Sequence, residues 1–282
     1  MPELPEVETI RRQLDPQLAN AEITGGDAHW SEKFSPALDA IGSTITNVRR
    51  RGKYLLFDLV TDENTDAETP SHELVAHLGM TGSFHIVCDP EAVPEIGSFG
   101  AHCRALWMLA DGRWLRFDDI RRFGRLRVVR AGEYDDIPTL FQMGPEPFDP
   151  AFTGKSLHAA VKRSNRAIKT QLLSQRPVAG VGNIYADEAL FLAGIHPRSK
   201  RVGRERCELL AGTIRDVLRA GVDNGGTTLR DYVDAEGRSG SNQFALVAYG
   251  RAGEPCVNCA AEMKSTVIDA RTTTYCSTCQ KH

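Results

Sequence analysis

Two pairs of cysteines near the carboxyl end of the 282-residue chain constrain its fold more than any other feature. Each pair has the spacing Cys-x2-Cys, and 16 residues separate Cys256 and Cys259 from Cys276 and Cys279. Each pair can present two thiolates from one tight turn, and four thiolates close a tetrahedral zinc site with no open position. The spacing therefore predicts one structural Zn²⁺ in a small hairpin that depends on the metal for its folding energy. An iron–sulfur cluster or unrelated thiols are the alternatives.

The remaining sequence has ordinary globular composition, with 41% hydrophobic and 25% charged residues. It contains no run of eighteen apolar residues, which argues against a membrane span. Its first ten residues, MPELPEVETI, are acidic and lack the apolar core of a secretion signal. Seven cysteines are an odd number, which favours metal ligands and free thiols over a disulfide framework. We therefore expect a cytoplasmic protein with no membrane partner.

The formal net charge of −3, taken alone, argues against a nucleic-acid partner. The charges are unevenly distributed, however. Basic residues cluster at 49–53 and 121–130, whereas the stretch 61–73 is acidic and has no lysine or arginine. Such segregation can give an acidic protein a basic face, although solvated surface charge explains each cluster equally well.

Hydrophobic periodicity divides the chain into a β-rich first part and a helical second part. Pro5–Leu18 has apolar residues at helical spacing. Several strand-like segments follow, and Asp111-Gly112 is a strong signal for a hairpin turn between two of them. The first 135 residues or so therefore predict a sandwich or a barrel-like domain. The expected strands are Ser43–Val48, Tyr54–Val60, Leu74–Leu78, Arg104–Leu109, Arg113–Phe117 and Leu126–Val129.

The apolar pattern changes from strand-like to helical at the proline-rich linker that follows Met143. Apolar stripes predict helices over Ser156–Leu173, Asn183–Leu192 and Arg204–Ala220, the last ending near Gly221. From about residue 249 onward the sequence is cysteine-rich and hairpin-like.

The residue Pro2 offers unusual chemistry if Met1 is removed. A secondary amine can attack a sugar carbon and form an iminium, which is an electron sink for elimination. The adjacent Glu3 could transfer protons. An ordinary N-terminal proline is the alternative.

Several motifs occur in an order that resembles the formamidopyrimidine-DNA glycosylase family over nearly the whole chain. They are MPELPEVETIRR, HLGMTG at His77–Gly82, DIRRFGR at Asp119–Arg125, GVGNIYADEALFLAGIHP at Gly180–Pro197 and YGRAGEPC at Tyr249–Cys256. The resemblance implies an α+β multidomain protein. Its expected parts are an N-terminal β-sandwich with a leading helix (1–140), a helix–two-turns–helix domain (141–246) and a zinc-finger β-hairpin (247–282).

The resemblance also implies an activity, that of a bifunctional DNA glycosylase and abasic-site lyase for double-stranded DNA. It implies excision of 8-oxoguanine and formamidopyrimidines, then strand cleavage by β- and δ-elimination, by an enzyme that works as a monomer. In that scheme Pro2 attacks C1′ of the damaged nucleotide and forms a Schiff base, with Glu3 as the acid/base partner. Lys53 and Arg271 match family positions at the reaction site.

Further positions match residues that handle the DNA, from which the damaged base must be flipped out. The positions that fill the void or recognise the lesion are Met80, Arg121, Phe123 and Glu6. The positions that contact the DNA are His77, Asn183, Tyr249 and Arg271.

One segment, Thr227–Phe244, resembles the loop that closes over the extruded base but departs from the family pattern. It lacks the common aromatic residue after glycine, and Arg230 stands where lysine is frequent. This puts the exact lesion preference in doubt. The rival functions are an endonuclease VIII-like enzyme for oxidised pyrimidines and a non-catalytic, zinc-dependent binder of DNA lesions.

Overall fold

A computed structural model describes residues 1–61, 70–89 and 102–282. Most of the acidic stretch singled out in the sequence lies outside the described residues. Contacts divide the chain into two compact units. The first, the N-terminal unit, contains residues 1–2, 6–136 and 225–240, and the second, the C-terminal unit, contains residues 3–5, 137–224 and 241–282.

The N-terminal unit is built on eight antiparallel strands that follow helix α1, Leu4–Leu18. The strands are β1 Ala21–Ala28, β2 Ser43–Arg51, β3 Tyr54–Thr61, β4 His72–His77, β5 Gly82–Val87, β6 Cys103–Leu109, β7 Trp114–Asp119 and β8 Arg125–Arg130.

These strands form two sheet faces that share β1. The strand order is β5-β7-β6-β1-β2-β3-β4-β8. The first residues of β1 pair with β2 and the later ones pair with β6, with a register shift between Ile23 and Gly25. Buried side chains from both sets of strands, including Phe57, Phe84 and Trp107, pack into one core. The predicted β-sandwich is therefore confirmed.

Strands β1 and β5 were not predicted from the sequence. In β1 the reason is the pair Gly25-Gly26, which interrupts the alternation of apolar residues. The structure explains the second glycine, because a Cβ at Gly26 would lie 2.5 Å from the carbonyl oxygen of Leu106 on the neighbouring strand. Close approach of two backbones thus replaces side-chain packing at this point of the sheet.

The C-terminal unit is helical and ends in a β-hairpin. Its largest core contains Phe152, Leu172, Tyr185 and Leu210, together with Leu4 from the start of α1. The elements are α2 Pro138–Phe141, α3 Gly154–Val161, α4 Ile168–Leu173, α5 Asn183–Leu192, α6 Arg204–Asp223, β9 Lys264–Ile268 and β10 Arg271–Tyr275.

The prediction of one helix over Ser156–Leu173 is wrong, because the segment contains two helices, α3 and α4. The break lies around Ser164, whose Oγ accepts a hydrogen bond from the backbone N–H of Arg166 at 3.1 Å. Local bonds of this kind compete with the helical pattern. The apolar stripe continues across the break because both helices bury their apolar side chains in the same core.

The prediction that the last helix ends near Gly221 also needs correction. Helix α6 continues through Gly221 to Asp223. A Cβ at Gly221 would lie 2.5 Å from the hydroxyl oxygen of Tyr185 and 2.8 Å from Cγ of Pro5. This glycine therefore permits close packing inside the helix and does not end it. No helix among the described residues combines the length and the apolar character that a membrane span needs.

Candidate active site and nucleic-acid interface

The N-terminus places its two candidate catalytic residues at the start of helix α1. Pro2 is buried, whereas Met1 is 41% exposed. The carboxylate of Glu3 is buried in the C-terminal unit at the amino end of helix α5. It accepts hydrogen bonds from the backbone N–H groups of Gly182 at 2.7 Å, Ile184 at 2.8 Å and Tyr185 at 3.3 Å. Three amides therefore fix its orientation, as expected for an anion at a helix amino terminus.

The sequence Gly180-Val-Gly182 makes room for this contact. A Cβ at Gly182 would clash with Cδ of Glu3, and a Cβ at Gly180 would lie 2.5 Å from Leu4. Gly180 also has φ of 84°, which favours glycine. The backbone of Leu4 is held in addition by a hydrogen bond to the carbonyl of Gly180 at 3.1 Å. The glycines of this motif are thus required because a side chain at either position would clash with Glu3 or Leu4.

Lys53 and His77 belong to one end of the sheet that contains β3, β4 and β8. Lys53 is buried in the turn between β2 and β3. His77 pairs with Tyr54 on one side and with Arg125 on the other. Burial, followed by the charges of Lys53 and Arg125, lowers the pKa of His77 to about 4. This end of the sheet is therefore cationic through Lys53 and Arg125, and His77 is neutral at neutral pH.

The tautomer of His77 follows from its contacts. Its Nδ1 accepts a hydrogen bond from the backbone N–H of Gly79 at 3.1 Å. In a neutral imidazole the proton then lies on Nε2. His77 can consequently donate one hydrogen bond to an anionic oxygen without carrying a charge.

The three candidate void-filling residues lie on two adjoining loops of the N-terminal unit. Met80 is half-buried on the turn between β4 and β5, and Phe123 is 49% exposed on the turn between β7 and β8. The guanidinium carbon of Arg121 lies 5.0 Å from the centroid of the Phe123 ring. The loops touch, because a Cβ at Gly79 would clash with the backbone of Phe123. The structure thus brings an apolar wedge and a cationic donor together.

A buried carboxylate, which the sequence did not single out, ties these two loops together. Asp119 is fully buried and accepts hydrogen bonds from the hydroxyl of Thr81 and from the backbone N–H of Gly124, both at 2.6 Å. The same hydroxyl oxygen accepts the backbone N–H of Arg121 at 3.0 Å. Asp119 is therefore the residue that fixes the spacing of the candidate void-filling side chains.

The zinc hairpin and helix α5 carry two candidate DNA contacts of the C-terminal unit. Arg271 is exposed at the start of β10, next to a tight turn formed by Asp269 and Ala270, whose φ values are 49° and 59°. The side-chain amide of Asn183 donates to the carbonyl of Thr272 at 3.1 Å. Its Oδ1 has no hydrogen-bond partner in the part of the chain that the structure describes. Asn183 and Arg271 are thus linked through one residue of β10.

A buried ion pair beneath these residues was also missed. The Nζ of Lys169 lies 2.5 Å from Oδ1 of Asp187 and 2.9 Å from Oγ1 of Thr273. The other carboxylate oxygen of Asp187 accepts the backbone N–H of Thr274 at 3.0 Å. Burial lowers the pKa of Lys169 and raises the pKa of Asp187, while their mutual attraction opposes both shifts. The pair joins α4, α5 and β10. The only sequence signal for this ion pair is the presence of a charged residue, Lys169 or Asp187, on each of two apolar helices.

Tyr249, the remaining candidate, is half-buried in a segment held by helix α5. The buried carboxylate of Glu188, on that helix, accepts backbone N–H groups from Val247, Ala248 and Tyr249 at 2.7 to 2.9 Å. The backbone position of Tyr249 is therefore set by helix α5.

Glu6 faces a different segment, within the N-terminal unit. Its Oε1 accepts the backbone N–H of Thr227 at 2.7 Å. Glu6 thus anchors the beginning of the segment that the sequence related to a base-covering loop.

The four hairpin cysteines form a group that fits one metal ion. The sulfur atoms of Cys256, Cys259, Cys276 and Cys279 all lie within 4.8 Å of one another. Two of the separations are 3.9 Å, between Cys256 and Cys279, and 3.6 Å, between Cys259 and Cys276. A tetrahedral site with Zn–S bonds of about 2.3 Å has ligand separations of roughly 3.8 Å. The donor set therefore suits zinc, and the predicted structural site is confirmed.

Comparisons with known proteins agree along the whole chain. Residues 1–126 match the model of the formamidopyrimidine-DNA glycosylase N-terminal domain, and residues 143–233 match the model of the H2TH domain of the same glycosylase. Residues 253–281 match a zinc finger found in FPG and IleRS.

Relatives and solved structures are similar over nearly their full length. The chain is 42% identical to the formamidopyrimidine-DNA glycosylase of Alkalilimnicola ehrlichii over 100% of both chains. It is 39% identical to that of Deinococcus radiodurans, covering 99% of this chain and 97% of the relative. The crystal structure of the MutM (Fpg) protein from Thermus thermophilus has a TM-score of 0.86 and 42% identity, covering 99% of this chain and 98% of that one. A complex of a Lactococcus lactis FPG mutant with DNA that contains Fapy-dG has a TM-score of 0.86, 31% identity and full coverage of both chains.

Proposed function

Because the chain belongs to the formamidopyrimidine-DNA glycosylase family, we propose that it excises oxidised purines from double-stranded DNA and then cleaves the strand, with Pro2 as the nucleophile. The match of all three segments to the family, over the full chain, is the observation that carries this function. The fixed carboxylate of Glu3, directly after Pro2, supports the assignment of the catalytic residues.

The reaction begins at the N-terminal amine. The nitrogen of Pro2 bonds to C1′ of the damaged nucleotide while the bond from C1′ to the base breaks, and the base leaves with a proton, which balances the proton lost by the attacking amine. The C1′–O4′ bond then breaks as O4′ takes a proton, which opens the sugar ring and leaves an iminium between the proline nitrogen and C1′. This iminium withdraws electrons from C2′. Loss of a C2′ proton then expels the 3′-phosphate, and a second elimination expels the 5′-phosphate. We assign the transfer of protons in these steps to Glu3, and we assign catalytic roles to Lys53 and Arg271 as well.

Access to C1′ requires that the base leave the stack, which leaves a void in the duplex. We assign Met80 and Phe123 to fill this void, because an apolar wedge can replace the lost stacking. We assign Arg121 to the orphaned partner base, because its guanidinium offers several hydrogen-bond donors.

Contacts to phosphates position the DNA without reading its sequence. We assign them to His77 through its Nε2 proton, to Asn183 at the amino end of helix α5, and to Arg271 at the tip of the zinc hairpin. Tyr249 completes the proposed set of DNA contacts. The zinc ion itself takes a structural role, since four thiolates leave no position for substrate or water. Because the substrate is chromosomal DNA, we place this activity in the bacterial cytoplasm.

Borohydride trapping tests the proposal most directly. Untagged protein is incubated with a duplex that contains 8-oxoguanine opposite cytosine, and borohydride reduces the iminium to a stable amine. We expect a covalent adduct in which peptide mass analysis finds the DNA on Pro2. Pro2→Gly is expected to weaken base release and to remove most strand cleavage, because a primary amine is a poorer substitute at that position.

Two controls show which group forms the adduct and which damaged base is the substrate. Protein that carries an uncleaved N-terminal extension has an amide in place of the amine, and we expect no adduct with it. A duplex that contains an oxidised pyrimidine replaces 8-oxoguanine in the second control. Trapping on that duplex alone would support an endonuclease VIII-like activity, and tight binding without trapping on either duplex would support a lesion-binding protein.

A further inference from the structure

The segment Gly225–Gly240, the 225–240 loop, follows helix α6 but is held by the N-terminal unit. It begins with Gly225 and Gly226, whose φ values are 69° and 87°. Its first anchor is Glu6, whose carboxylate accepts the backbone N–H of Thr227 at 2.7 Å. Its ring residue Tyr232 packs against the sandwich core, with the hydroxyl 3.2 Å from the carbonyl of Gly225. The loop is therefore docked at its beginning and at Tyr232.

A second anchor lies on the same helix as the first. The side-chain amide nitrogen of Gln13 donates to Oδ2 of Asp234 at 2.7 Å, and the amide oxygen of Gln13 accepts the backbone N–H of Ala235 at 2.9 Å. Gln13 follows Glu6 by seven residues, so both side chains lie on one face of α1. One helix face thus fixes the loop at two points.

Asp234 is more than a partner of Gln13, since it also organises the turn that follows it. Its Oδ1 accepts the backbone N–H groups of Glu236 at 3.0 Å and Arg238 at 2.8 Å. Burial opposes ionisation, yet the hydrogen bonds from Gln13 and Arg238 hold the pKa of Asp234 below its usual value. Asp234 is only 6% exposed. Gln13 therefore binds the residue that organises the last turn of the loop.

Three consecutive residues between the two anchors face solvent. Leu229 is 50% exposed, and Arg230 and Asp231 are exposed as well. The hydroxyl of Thr228 closes this arch by donating to the carbonyl of Tyr232 at 3.0 Å. An apolar side chain and two charged ones are thus presented on a short span that is tied down on both sides.

The arch borders the proposed reaction site. Glu6 follows Pro2 by four residues in the first turn of α1, and it holds Thr227 directly. A base that is still bonded to C1′ during attack by Pro2 lies within a few bond lengths of that nitrogen. The arch, which Glu6 holds four residues after Pro2, is therefore placed to contact that base.

We propose that Gln13 is a positioning residue that sets the 225–240 loop and thereby the enzyme's discrimination among damaged bases. The proposal rests on the proposed function. Gln13 does not touch the substrate, because both ends of its amide are engaged by Asp234 and Ala235. It acts through the arch, whose position affects base recognition and leaves the chemistry at the sugar unchanged.

The test compares Gln13→Ala with Gln17→Ala. Gln17 lies one turn further along α1, is exposed, and its amide donates to the carbonyl of Gln13 at 2.8 Å on the helix surface. We expect Gln13→Ala to lower kcat/KM for 8-oxoguanine excision by about tenfold. This is the size of effect expected when two weak hydrogen bonds that position the arch are lost. The ratio of rates for 8-oxoguanine and a ring-opened purine should change, whereas Gln17→Ala should match the wild type.

A duplex with a preformed abasic site is the internal control, because it offers no base to the arch. We expect Gln13→Ala to cleave it, and to be trapped on it by borohydride, at the wild-type rate. Equal losses on abasic and damaged duplexes would overturn the proposal, since Gln13 would then serve the general integrity of the site.

Trypsin cleavage after Arg230 and Arg238 reports on the loop without any activity. Gln13→Ala should be cut there several-fold faster than wild type, and Gln13→Glu faster as well, because its carboxylate faces that of Asp234. Cleavage and lesion selectivity unchanged in both variants would refute the inference. If trypsin cuts Gln13→Ala faster but the wild-type protein forms no covalent adduct with DNA, the proposed function fails. In that case Gln13 still anchors the loop.

Discussion

Asp119 shows at the residue scale how a single buried carboxylate positions two loops. Replacing it by Ala leaves the hydroxyl of Thr81 and the backbone N–H of Gly124 buried without their acceptor. Each such group costs about 1–3 kcal/mol. We therefore expect Asp119→Ala to lower the free energy of unfolding by about 2–4 kcal/mol in urea denaturation, and to weaken binding of a duplex with a flipped base.

The neighbouring Asp118 provides the control for this prediction. Its carboxylate is half-buried and contacts Arg116 on the same strand, at 2.9 Å. Asp118→Ala should cost less than Asp119→Ala, because the guanidinium left on Arg116 is partly exposed and can be hydrated. Similar losses in the two variants would show that Asp119 has no special role in joining the loops.

His77 gives a prediction about pH. The native protein protonates it only below about pH 4, whereas the unfolded chain does so at its ordinary value of 6.5. Between these values the unfolded state binds more protons, so the native state loses stability as the pH falls from 6.5 towards 4. We expect His77→Asn, whose amide oxygen can replace Nδ1 as acceptor, to remove about 3 kcal/mol of this pH dependence. Parallel stability curves for the two proteins would contradict the assignment.

Which residues could be found from the sequence depends on how far apart their partners lie. The zinc ligands are recognisable because Cys-x2-Cys is a local pattern, whereas the role of Pro2 was inferred from the family resemblance and stays a prediction. The role of Asp119 could not be predicted, because its partner Thr81 lies 38 residues away on another loop. Glu188 is similar, since its acceptor role depends on backbone groups about 60 residues later in the chain.

At the scale of elements, the ion pair of Lys169 and Asp187 connects helices α4 and α5 to strand β10. Removing one partner from a buried pair leaves an uncompensated charge, which costs about 3–5 kcal/mol. We expect Asp187→Ala to lose that much stability in urea denaturation. It should also weaken DNA binding, because the strand that carries Arg271 and the carbonyl that holds Asn183 depend on this support.

The same unit contains a matched control on its surface. Arg166 and Asp269 lie 3.7 Å apart and are both well exposed. Asp269→Asn, in which asparagine tolerates the positive φ of this turn, should change the stability by less than about 0.5 kcal/mol. A large effect there, or a small one for Asp187→Ala, would contradict the distinction between the two pairs.

The elements themselves were predicted from periodicity with uneven success. Six strands and the helices α1, α5 and α6 followed from their apolar patterns. Helices α3 and α4 were merged because one apolar stripe continues across the break at Ser164. Strand β1 was missed because Gly25 and Gly26 replace the expected alternation. In both cases a backbone contact determines where the element begins or ends, and a hydrophobic pattern contains no information about such contacts.

For the whole molecule, the zinc ion is expected to determine whether the hairpin can contribute to DNA binding. The buried side chains around the site are few, including Phe191, Ala248 and Met263, and this core is too small to fold the hairpin without metal. We expect removal of zinc to expose the amides of β9 and β10 to hydrogen exchange and to lower DNA affinity at least tenfold. The dependence of affinity on salt should become shallower, because phosphate contacts are lost.

Arg271→Ala in the zinc-loaded protein separates the fold of the hairpin from its charge. This variant should keep the hydrogen-exchange protection of β10 and still lose about one unit of the salt slope. Wild-type affinity in a protein verified to be free of zinc would show that the hairpin is dispensable for binding. The division by sequence into 1–140, 141–246 and 247–282 stays a prediction, to be tested on isolated fragments.

The docking of the 225–240 loop on the N-terminal unit has a consequence for synthesis. The rest of that unit is complete at Asp136, and about 90 residues separate it from Gly225. At ~5–20 residues per second, a ribosome needs roughly 4 to 18 seconds to make them. During that interval the sandwich exists without Tyr232 packed against its core and without the Thr227 amide on Glu6. The 225–240 loop is thus the last part of its unit to emerge, and the contacts that we propose for selectivity among bases form only after the sandwich has been synthesised.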